Sequence, residues 1–585
     1  MATLSDAGNI DYRSQTETRW TFKTPPDQAS SENLAAALGV SPSIAGLLVQ
    51  RGITSFEEAR LFFRPQWEHL HDPFLMKDME TAVTRIQEAL NAGERILVYG
   101  DYDVDGTTSV ALMTTFLRAR DAEVAYYIPD RYKEGYGLSM SGIDFAEDNG
   151  FTLIIALDCG IKALEQSAYA SAKAIDLIIC DHHRPGPELP LADAILNPKR
   201  EDCKYPYKEL CGCGVGFKLI QALQRHMGLP ETLLYPYLDL VAVAIGADIV
   251  PITGENRILA KLGLEVVNNN PRPGIAALLD DQRAGNLGIS DLVFRIAPRI
   301  NAAGRMEHGE LAVDLLIEAN PNRARQLAQG IEQLNTERRE ADGRITDEAL
   351  AQIQATGARE HTTTVVFNPD WHKGVIGIVA SRLMETYYRP TLVFTKSGDK
   401  LAASARSVRG FDIYQALEQC SDYLEQFGGH TYAAGLTLHP DQYEGFKAHF
   451  ETVVSRSISP ELLHPEVQID AVLPLEAISP KLLRILDQFA PFGPGNPRPV
   501  FFTAGLRDTG YAQTVGADGN HLKFQVTTES GQPRYGAIGF GQGEALPIVR
   551  GAVPFELAYS LEENRWNGRS EIQLKVKGIR NTPAT

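Results

Sequence analysis

Between residues 95 and 198 the chain alternates five short apolar runs with longer segments that have mainly helical periodicity. The runs are "RILVYG", "EVAYYIP", "FTLIIALD", "DLIICD" and "DAILNP". Runs that are apolar throughout, rather than at every second residue, are typical of strands buried on both faces of a parallel sheet. The pattern therefore predicts an α/β fold with a mainly parallel sheet and helices on both of its faces.

Acidic residues and histidines follow three of these runs and one later helix-like segment, "AIGADIVP". They are, in chain order, Asp101, Asp103, Asp105, Asp158, Asp181, His182, His183 and Asp248. A single aspartate at the end of a strand is commonly a turn residue. However, functional groups in open parallel sheets gather beyond the carboxyl ends of the strands. Four acidic segments on one predicted edge therefore indicate a functional site.

Several carboxylates at close range cannot all stay ionised without compensation, and bound cations would provide it. Carboxylate oxygens favour Mg²⁺ or Mn²⁺, and added imidazole tilts the preference toward Mn²⁺. Two such ions about 3.5 to 4 Å apart stabilise in-line displacement at phosphorus. The residues thus predict two divalent cations and hydrolysis of a phosphoester. Zinc is disfavoured because Cys203, Cys211 and Cys213 lack a fourth ligand at a usual spacing.

Composition excludes little beyond a membrane protein. The chain has 585 residues, of which 44% are hydrophobic, and a net charge of −18. No apolar run approaches the roughly 18 to 20 residues that span a bilayer, and no secretory signal is visible, so we expect a cytoplasmic location. A monomer is a separate expectation. The acidic total argues only weakly against a nucleic-acid partner, because a nuclease needs a basic groove rather than a basic surface overall.

The remaining patterns divide the chain into five predicted segments. Residues 1–80 form a helical lead-in, 81–318 the parallel-sheet domain, and 319–358 a charged connecting helix. Residues 359–458 form a second α/β domain. In residues 459–585 short strands separated by Gly, Pro and Asp predict a small β-barrel of the oligonucleotide-binding type, with a sandwich as the alternative.

Several motifs resemble those of a known family. "DYDVDG", "LDCG", "DHH" and "ADIVP" resemble, in that order, the four signature motifs of the DHH phosphoesterase superfamily, and "GGHTYAAG" resembles the motif of its DHHA1 domain. From about residue 90 onward, "CGCGVGFKL", "FRIAPRINAAGRM", "SARSVRGFDI" and "PFGPGNPRPVF" are similar to the single-strand-specific DNA exonucleases of that superfamily. The resemblance implies a 5′→3′ exonuclease that uses two metal ions and releases nucleoside monophosphates. It would act in DNA repair and recombination, together with a helicase and a single-strand-binding protein.

The resemblance also implies roles for individual residues. The implied metal ligands are Asp103, Asp105, Asp158, His182 and Asp248, with Asp158 bridging the two ions. Asp101 is added as a sixth, because Tyr99 stands where some superfamily members have a metal-binding histidine. His183 is expected to take part in catalysis beside the ligands, and Asp181 to orient the two histidines.

Other residues are candidates for substrate binding. Arginines suit phosphate because the guanidinium group donates in a fork. The candidates for phosphate contacts are Arg131, Arg299, Asn301, Arg305, Ser404, Arg406, Gly428, Gly429 and His430, and the resemblance assigns Arg131, Arg305, Ser404 and Arg406 to a 5′-terminal phosphate. The candidates for base stacking in the barrel are Tyr511, Phe524, Tyr535 and Phe540, with core packing as the competing role of each.

Two other functions compete with this interpretation. A small-substrate DHH phosphoesterase, such as an oligoribonuclease or a cyclic-dinucleotide hydrolase, would share the metal motifs but would generally lack the C-terminal barrel. A non-catalytic replication scaffold would keep the fold but lose metal ligands. The complete set of carboxylates and histidines argues against the scaffold.

Overall fold

The structure is a computed structural model that describes residues 18–279, 287–357, 361–566 and 569–582. The chain divides into two compact units. As far as its residues are described, the larger unit comprises Phe22–Asn335 and Ile469–Thr585, and the smaller unit comprises Met1–Thr21 and Thr336–Gln468. Each unit has its own sheets and core.

The elements are numbered in chain order. The strands are β1 (Arg19–Phe22), β2 (Ile96–Gly100), β3 (Val124–Tyr127), β4 (Leu153–Leu157), β5 (Asp176–Cys180), β6 (Ala194–Leu196), β7 (Thr364–Phe367), β8 (Thr391–Ser397), β9 (Lys400–Arg406), β10 (Gln426–His430), β11 (Ala433–Leu438), β12 (Glu466–Ile469), β13 (Ala471–Val472), β14 (Phe501–Asp508), β15 (Gln513–Val515), β16 (His521–Thr527), β17 (Tyr535–Gly539), β18 (Phe555–Trp566) and β19 (Arg569–Asn581). The helices are α1 (Gln28–Leu38), α2 (Pro42–Val49), α3 (Phe56–Phe63), α4 (Met79–Ala92), α5 (Val104–Arg118), α6 (Met140–Asp148), α7 (Leu164–Ala172), α8 (Gly212–His226), α9 (Leu238–Ala247), α10 (Gly254–Asn269), α11 (Pro273–Leu278), α12 (Ile289–Asp291), α13 (Ala297–Met306), α14 (Glu310–Ile317), α15 (Pro321–Ala355), α16 (Ile376–Tyr387), α17 (Ile413–Glu418), α18 (Tyr443–Ser457), α19 (Pro480–Asp487) and α20 (Leu546–Arg550).

A five-stranded parallel sheet in the order β3-β2-β4-β5-β6 positions the acidic motifs. Its strands are the five apolar runs of the sequence, and the α/β prediction is confirmed. Strands β2 and β4 are buried along their whole length, because helices cover both faces. The larger core joins one face to α5, α8 and α9, and a smaller core joins the other face to α6 and α7.

The C-terminal strands form a closed barrel. Seven strands follow the order β13-β14-β18-β19-β17-β16-β15, and β14 also pairs with β16. This pairing closes β14, β18, β19, β17 and β16 into a five-stranded ring. A five-stranded barrel is the architecture of the oligonucleotide-binding fold, so the barrel prediction is confirmed over the sandwich.

The N-terminal helices α1 to α3 share a hydrophobic core with this barrel. Leu34 and Leu48 belong to the same buried cluster as the barrel residues. Phe489, which is fully buried beside the barrel, contacts the rings of Phe62 and Phe63 at centroid distances of 5.4 Å each. The helical segment at the start of the chain therefore packs as part of the C-terminal module.

The smaller unit contains a five-stranded mixed sheet in the order β10-β11-β9-β8-β7. Strands β7 and β8 are parallel and the other pairs are antiparallel. Its core includes Phe446 and Phe450 of α18. Helix α15 has 35 residues. Its residues up to Asn335 belong to the larger unit, and those from Thr336 onward belong to the smaller unit.

Among the described helices, none is by itself long and apolar enough to cross a bilayer. The bent pair formed by α1 and α2 satisfies the same length and composition test only when both helices are taken together.

The shared core predicts that the first helices stabilise the barrel. Phe489→Ala should lower the free energy of unfolding of the larger unit by about 3–5 kcal/mol, because it leaves a cavity between α3 and the barrel. Val553→Ala, at a side chain that is 55% exposed, should change it by less than about 0.5 kcal/mol. Urea denaturation measures both values. Amide exchange in α3 and in β14 should accelerate together in Phe489→Ala, and acceleration in only one of them would contradict a shared core.

Candidate active site

Three adjacent strands end at the same level of the parallel sheet. The register pairs Gly100 of β2 with Leu157 of β4, and Leu157 with Cys180 of β5. Asp101, Asp158 and Asp181 each follow one of these ends directly. The parallel register therefore places the three acidic segments side by side at one edge of the sheet.

The helix after β2 begins among the aspartates of the first acidic segment. Alternating aspartates would lie on one face of the chain if this segment were extended, but it is not. Helix α5 starts at Val104, because the side chain of Asp103 accepts a hydrogen bond from the amide of Gly106 at 3.0 Å and caps the helix. Asp105 thus lies in the first turn of α5 rather than on one face of a strand with Asp101.

Asp105 links α5 to the start of α8. Its two oxygens accept hydrogen bonds from the amides of Gly212 and Cys213, at 2.6 and 2.7 Å. A Cβ atom on Gly212 would lie 2.6 Å from Cβ of Asp158. The helix N-terminus can therefore approach both aspartates only because residue 212 is glycine, which gives "CGCGVG" a physical role.

His182 lies at the centre of three carboxylates. Its Nε2 atom is 3.2 Å from Oδ1 of Asp158, 3.5 Å from Oδ2 of Asp248 and 3.8 Å from Oδ2 of Asp105. Asp248 reaches this point from the C-terminal end of α9. The structure therefore brings together residues from all four acidic segments.

Asp181 and His183 lie beside this cluster. Asp181 accepts hydrogen bonds from the amides of Ile161, His182 and His183, and its Oδ1 is 2.8 Å from Nδ1 of His183. Burial alone would raise the pKa of Asp181, but the His183 ring and these amides lower it to about 2. His183 also has a ligand atom within 4.8 Å of ligand atoms of Asp158 and His182, so it is available as a further metal ligand.

The other carboxylates are crowded in an environment of low polarity. Burial and the neighbouring Asp103 raise the pKa of Asp105 to about 7, and burial with nearby carboxylates raises those of Asp101, Asp158 and Asp248 as well. Burial lowers the pKa of His182 to about 3, so its imidazole is neutral near pH 7. Like charges in a buried site disfavour the ionised forms, so the ionised cluster requires compensating positive charge.

The donor set fits divalent cations. Among the described residues, Oδ1 of Asp158 and both oxygens of Asp101 are buried without a hydrogen-bond partner. Carboxylate oxygens with one or two neutral imidazoles are the ligands that Mn²⁺ and Mg²⁺ accept. Two groups of side chains could hold such ions: Asp158, His182 and His183, and Asp105, His182 and Asp248. Asp103 and Asp101 stay predicted ligands. Tyr99, at the position where some superfamily members have a metal-binding histidine, uses its hydroxyl to donate a hydrogen bond to Gly137 O at 2.9 Å.

The predicted phosphate contacts of the larger unit are only partly grouped. The guanidinium of Arg131 lies over the ring of Tyr102, 4.7 Å from its centroid, and Arg305 lies with Asn301 on α13, whose Gly304 packs against Tyr102. Arg299 is different: its guanidinium pairs with Glu332 and donates to Arg295 O. Part of the donor capacity of Arg299 is therefore already used within the protein, a constraint that the sequence pattern did not reveal.

The predicted residues of the smaller unit line up across its sheet. Gly428 is in register with Gly435 and, through it, with Ser404; His430 is in register with Ala433 and Arg406. Residues in register on adjacent strands point to the same face of a sheet. Arg406 also contacts Ser404 Oγ at 3.1 Å and Ser381 Oγ of α16 at 3.2 Å. Gly429 lies between the two registered positions on β10.

The four stacking candidates differ in exposure. Tyr511 is 72% and Phe540 56% exposed, whereas Phe524 is 3% exposed and belongs to the barrel core. Stacking by Phe524 is therefore a wrong prediction, because its ring cannot reach a base. Tyr535 is half-buried and donates its hydroxyl to Ile478 O at 2.8 Å, which favours the packing role.

Sequence reasoning missed three residues around these sites. His521 and Lys575 flank Phe540, with the His521 ring at 5.3 Å and Lys575 Nζ at 5.6 Å from its centroid. At the sheet edge, the hydroxyl of Tyr136 donates to Asp158 O at 3.1 Å. Basic residues in the strand patterns "HLKF" and "QLKVK", and the tyrosine of "KEGYG", were the available signals.

Comparison with known proteins agrees with this geometry. Family models of the DHH family N-terminal domain, the DHHA1 domain and the RecJ OB domain match residues 95–245, 361–456 and 469–578. The parallel sheet with its carboxylate and histidine edge, followed by the DHHA1 domain, defines a phosphoesterase of the DHH class.

Relatives identify the family within that class. The single-stranded-DNA-specific exonuclease RecJ of Bacillus subtilis strain 168 is 38% identical, over 96% of this chain and 70% of its own length. That of Escherichia coli K12 is 34% identical, over 92% of this chain and 96% of its own length. The crystal structure of RecJ in complex with Mn²⁺ from Thermus thermophilus superposes with a TM-score of 0.83 at 30% identity, covering 97% of this chain and 80% of that one. The chain belongs to the RecJ family.

The raised pKa of Asp105 predicts how metal affinity depends on pH. The folded, metal-free protein binds a proton more tightly than an unfolded carboxylate, so its stability falls as the pH rises from about 4 to about 7. Metal binding needs the ionised carboxylate, so Mn²⁺ affinity should increase from about pH 6 to about pH 8, with release of protons. Isothermal titration in buffers of different ionisation heat measures both quantities.

Two variants make this prediction specific to Asp105. Asp105→Asn should weaken Mn²⁺ binding by more than about tenfold and flatten its pH dependence, because the ionisable ligand is gone. Asp144→Asn, at a side chain of α6 that is 48% exposed and pairs with Lys173 at the end of α7, should leave both unchanged. Wild-type binding without proton release near neutral pH would contradict the prediction.

Proposed function

We propose that this chain is a single-stranded-DNA-specific exonuclease that degrades its substrate in the 5′→3′ direction by metal-dependent hydrolysis of phosphodiester bonds. The observation that carries the proposal is the convergence of Asp105, Asp158 and Asp248, whose carboxylate oxygens lie 3.2–3.8 Å from Nε2 of His182. The names of the RecJ relatives support the substrate. The Mn²⁺ in the related crystal structure supports the cofactor.

The chain's own residues have defined tasks in this proposal. When bound, two divalent cations supply activation of water and neutralisation of charge at phosphorus. Asp103, Asp105, Asp158, His182 and Asp248 hold the ions, with Asp101 and His183 as further ligands. Asp181 keeps the His183 ring in place through its hydrogen bond to Nδ1.

Binding of a terminal phosphate supports attack from one end of a strand. Arg406 and Ser404 lie on one face of β9, and a Cβ atom on Gly377 of α16 would be 3.0 Å from Ser404 Oγ and 3.2 Å from Nη2 of Arg406. Glycine at the start of the helix lets the Ser404 and Arg406 side chains lie against its first turn, where backbone amides favour an anion. Arg131 and Arg305 are proposed as partners in holding the 5′ phosphate, and Gly428, Gly429 and His430 as contacts to an adjacent phosphate.

The barrel supports a long single strand rather than a small substrate. Phe540 is exposed and flanked by His521 and Lys575, which suits stacking of a base next to a backbone phosphate. A dinucleotide would not use this surface. The domain boundaries, a helicase and a single-strand-binding protein as partners, the monomeric state and a cytoplasmic location stay predictions from the sequence.

Digestion of end-labelled single-stranded DNA tests the proposal. With Mn²⁺, a 5′ label should be released as a mononucleotide from the start, while a 3′ label should persist in progressively shorter products. Asp158→Asn should reduce the rate by about 100-fold or more, because several kcal/mol of transition-state stabilisation depends on the metal site. Asp144→Asn should retain the wild-type rate. Early release of the 3′ label, or faster turnover of dinucleotides than of long strands, would contradict the proposal.

Arg406 should determine the preference for a 5′-phosphorylated end. Arg406→Ala should raise KM for a 5′-phosphorylated strand by about 10- to 100-fold, since charged hydrogen bonds contribute about 1.5–3 kcal/mol. KM for a 5′-hydroxyl strand should change little. Arg409→Ala, three residues further along and 70% exposed at its side chain, is the matched control. An unchanged preference in Arg406→Ala would refute the assignment of the 5′-phosphate contact.

A further inference from the structure

The segment that leads into the barrel packs directly on the loop that follows Asp248. We call residues 488–496 the linker turn and residues 249–253 the ligand loop. The amide of Ile252 donates to Pro494 O at 2.7 Å. A Cβ atom on Gly493 would lie 2.5 Å from Cγ1 of Ile252, and one on Gly495 would lie 2.9 Å from Cγ2 of Thr253. Because Gly493 and Gly495 have no side chains, the backbone of the turn can lie directly against the ligand loop.

Arg257 holds the linker turn from the other side. This residue of α10 is 5% exposed, and its guanidinium donates only to backbone carbonyls. The acceptors are Phe62 O (3.0 Å), Phe489 O (2.9 Å), Pro491 O (3.2 Å), Gln488 O (3.5 Å) and Ala490 O (3.0 Å). An arginine side chain has five N–H donors. Arg257 thus uses its whole donor capacity to join α10, α3 and the linker turn.

The linker turn is held by its own hydrogen bonds and is joined to the barrel. Asn496 donates to Phe489 O and Pro491 O within the turn, at 2.8 and 2.9 Å, and accepts from Nε of Arg51, which follows α2, at 2.9 Å. Arg498, just after the turn, donates to Leu561 O of β18 at 3.2 Å. The barrel strand β14 begins three residues later. No flexible spacer therefore separates the turn from the barrel.

The ligand loop depends on such support. Ile249 has φ = 58° and a side chain that is 66% exposed, and a β-branched residue in the left-handed region persists only where its surroundings hold it. Pro251 O accepts hydrogen bonds from Tyr207 at 3.2 Å and from Asn256 at 3.1 Å. Together with the bond to Pro494 O, these contacts fix the loop between Asp248 and α10.

We propose that the linker turn and Arg257 form a rigid coupling between the metal site and the barrel, which presents a single strand bound on the barrel to the metal site in one position. Arg257 and Gly493 are positioning residues in this role. The inference rests on the proposed exonuclease function. A strand that is long enough to bind the barrel and the metal site at once gains affinity from the second contact. The gain is greatest when the distance between the two sites is fixed, so a rigid coupling increases the affinity of long strands relative to short ones.

Gly493→Ala tests the coupling, because the added methyl group must push the turn and the ligand loop apart. Fluorescence anisotropy in EDTA measures the Kd of 5′-phosphorylated strands of about 5 and about 30 nucleotides, lengths below and above the span of a typical barrel site. The ratio of the two Kd values is the length advantage. It should fall by about tenfold in Gly493→Ala. Hydrolysis with Mn²⁺ should show a rise in KM for the long strand that exceeds any change in kcat on the short strand. A fall in kcat with unchanged KM would contradict the coupling.

Three further variants separate positioning from stability. Ile252→Ala in the Gly493→Ala background should restore the length advantage, since the nearest remaining atom, Cβ of residue 252, would be 3.7 Å away. Arg257→Lys keeps the charge but has three donors for five carbonyls, and should lose the length advantage even if Gly493→Ala does not fold. Gly536→Ala in β17, where a Cβ atom meets nothing within 4 Å, should behave as wild type.

The outcomes distinguish this inference from the proposed function. Wild-type affinity ratios in Gly493→Ala and Arg257→Lys, an equal loss in Gly536→Ala, or a wild-type protein with no length advantage would each overturn the coupling. Failure of wild type to hydrolyse single-stranded DNA with Mn²⁺ would instead overturn the proposed function, and the metal-free binding measurements would still decide the coupling.

Discussion

Repulsion among buried carboxylates is the constraint on which the rest of this structure depends. Asp101, Asp105 and Asp158 are each at most 2% exposed, and burial and the charges of neighbouring carboxylates, Asp103 in each case, raise their pKa values. The fold offsets part of this cost with backbone donors. Asp103 caps α5, and Asp105 accepts from the first amides of α8, so two helix N-termini with their partial positive charge face the cluster. The remaining deficit is what divalent cations fill.

The same constraint explains why the surrounding sequence contains small residues. Helix α8 must bring its amides to Asp105 while passing Asp158, and only glycine at position 212 leaves that space. The ligand loop after Asp248 also depends on its surroundings. Ile249 adopts a left-handed conformation, and hydrogen bonds from Tyr207 and Asn256 and to Pro494 O hold the loop. Elements far apart in sequence are therefore needed to support one cluster of charges.

The sequence predicted the parts of the structure that follow from local periodicity. Apolar runs gave the five parallel strands, and since parallel strands end level at one edge, the positions of Asp101, Asp158 and Asp181 followed as well. What depends on tertiary partners could not be predicted. Asp103 caps α5 and so places Asp105 in its first turn, the pairing of Arg299 with Glu332 joins residues 33 positions apart, and barrel closure buries Phe524 while leaving Phe540 exposed.

The least predictable feature is the shared core of the N-terminal helices and the barrel, because nothing in the pattern of residues 28–63 indicates a partner more than 400 positions away. It changes how the C-terminal region must be analysed. Removal of the barrel would also remove Phe489, the acceptors of Arg257 and the carbonyl of Pro494 that binds Ile252. A truncation therefore alters strand binding and the support of the ligand loop at once, whereas a single added methyl group at Gly493 changes their connection and leaves the barrel surface intact.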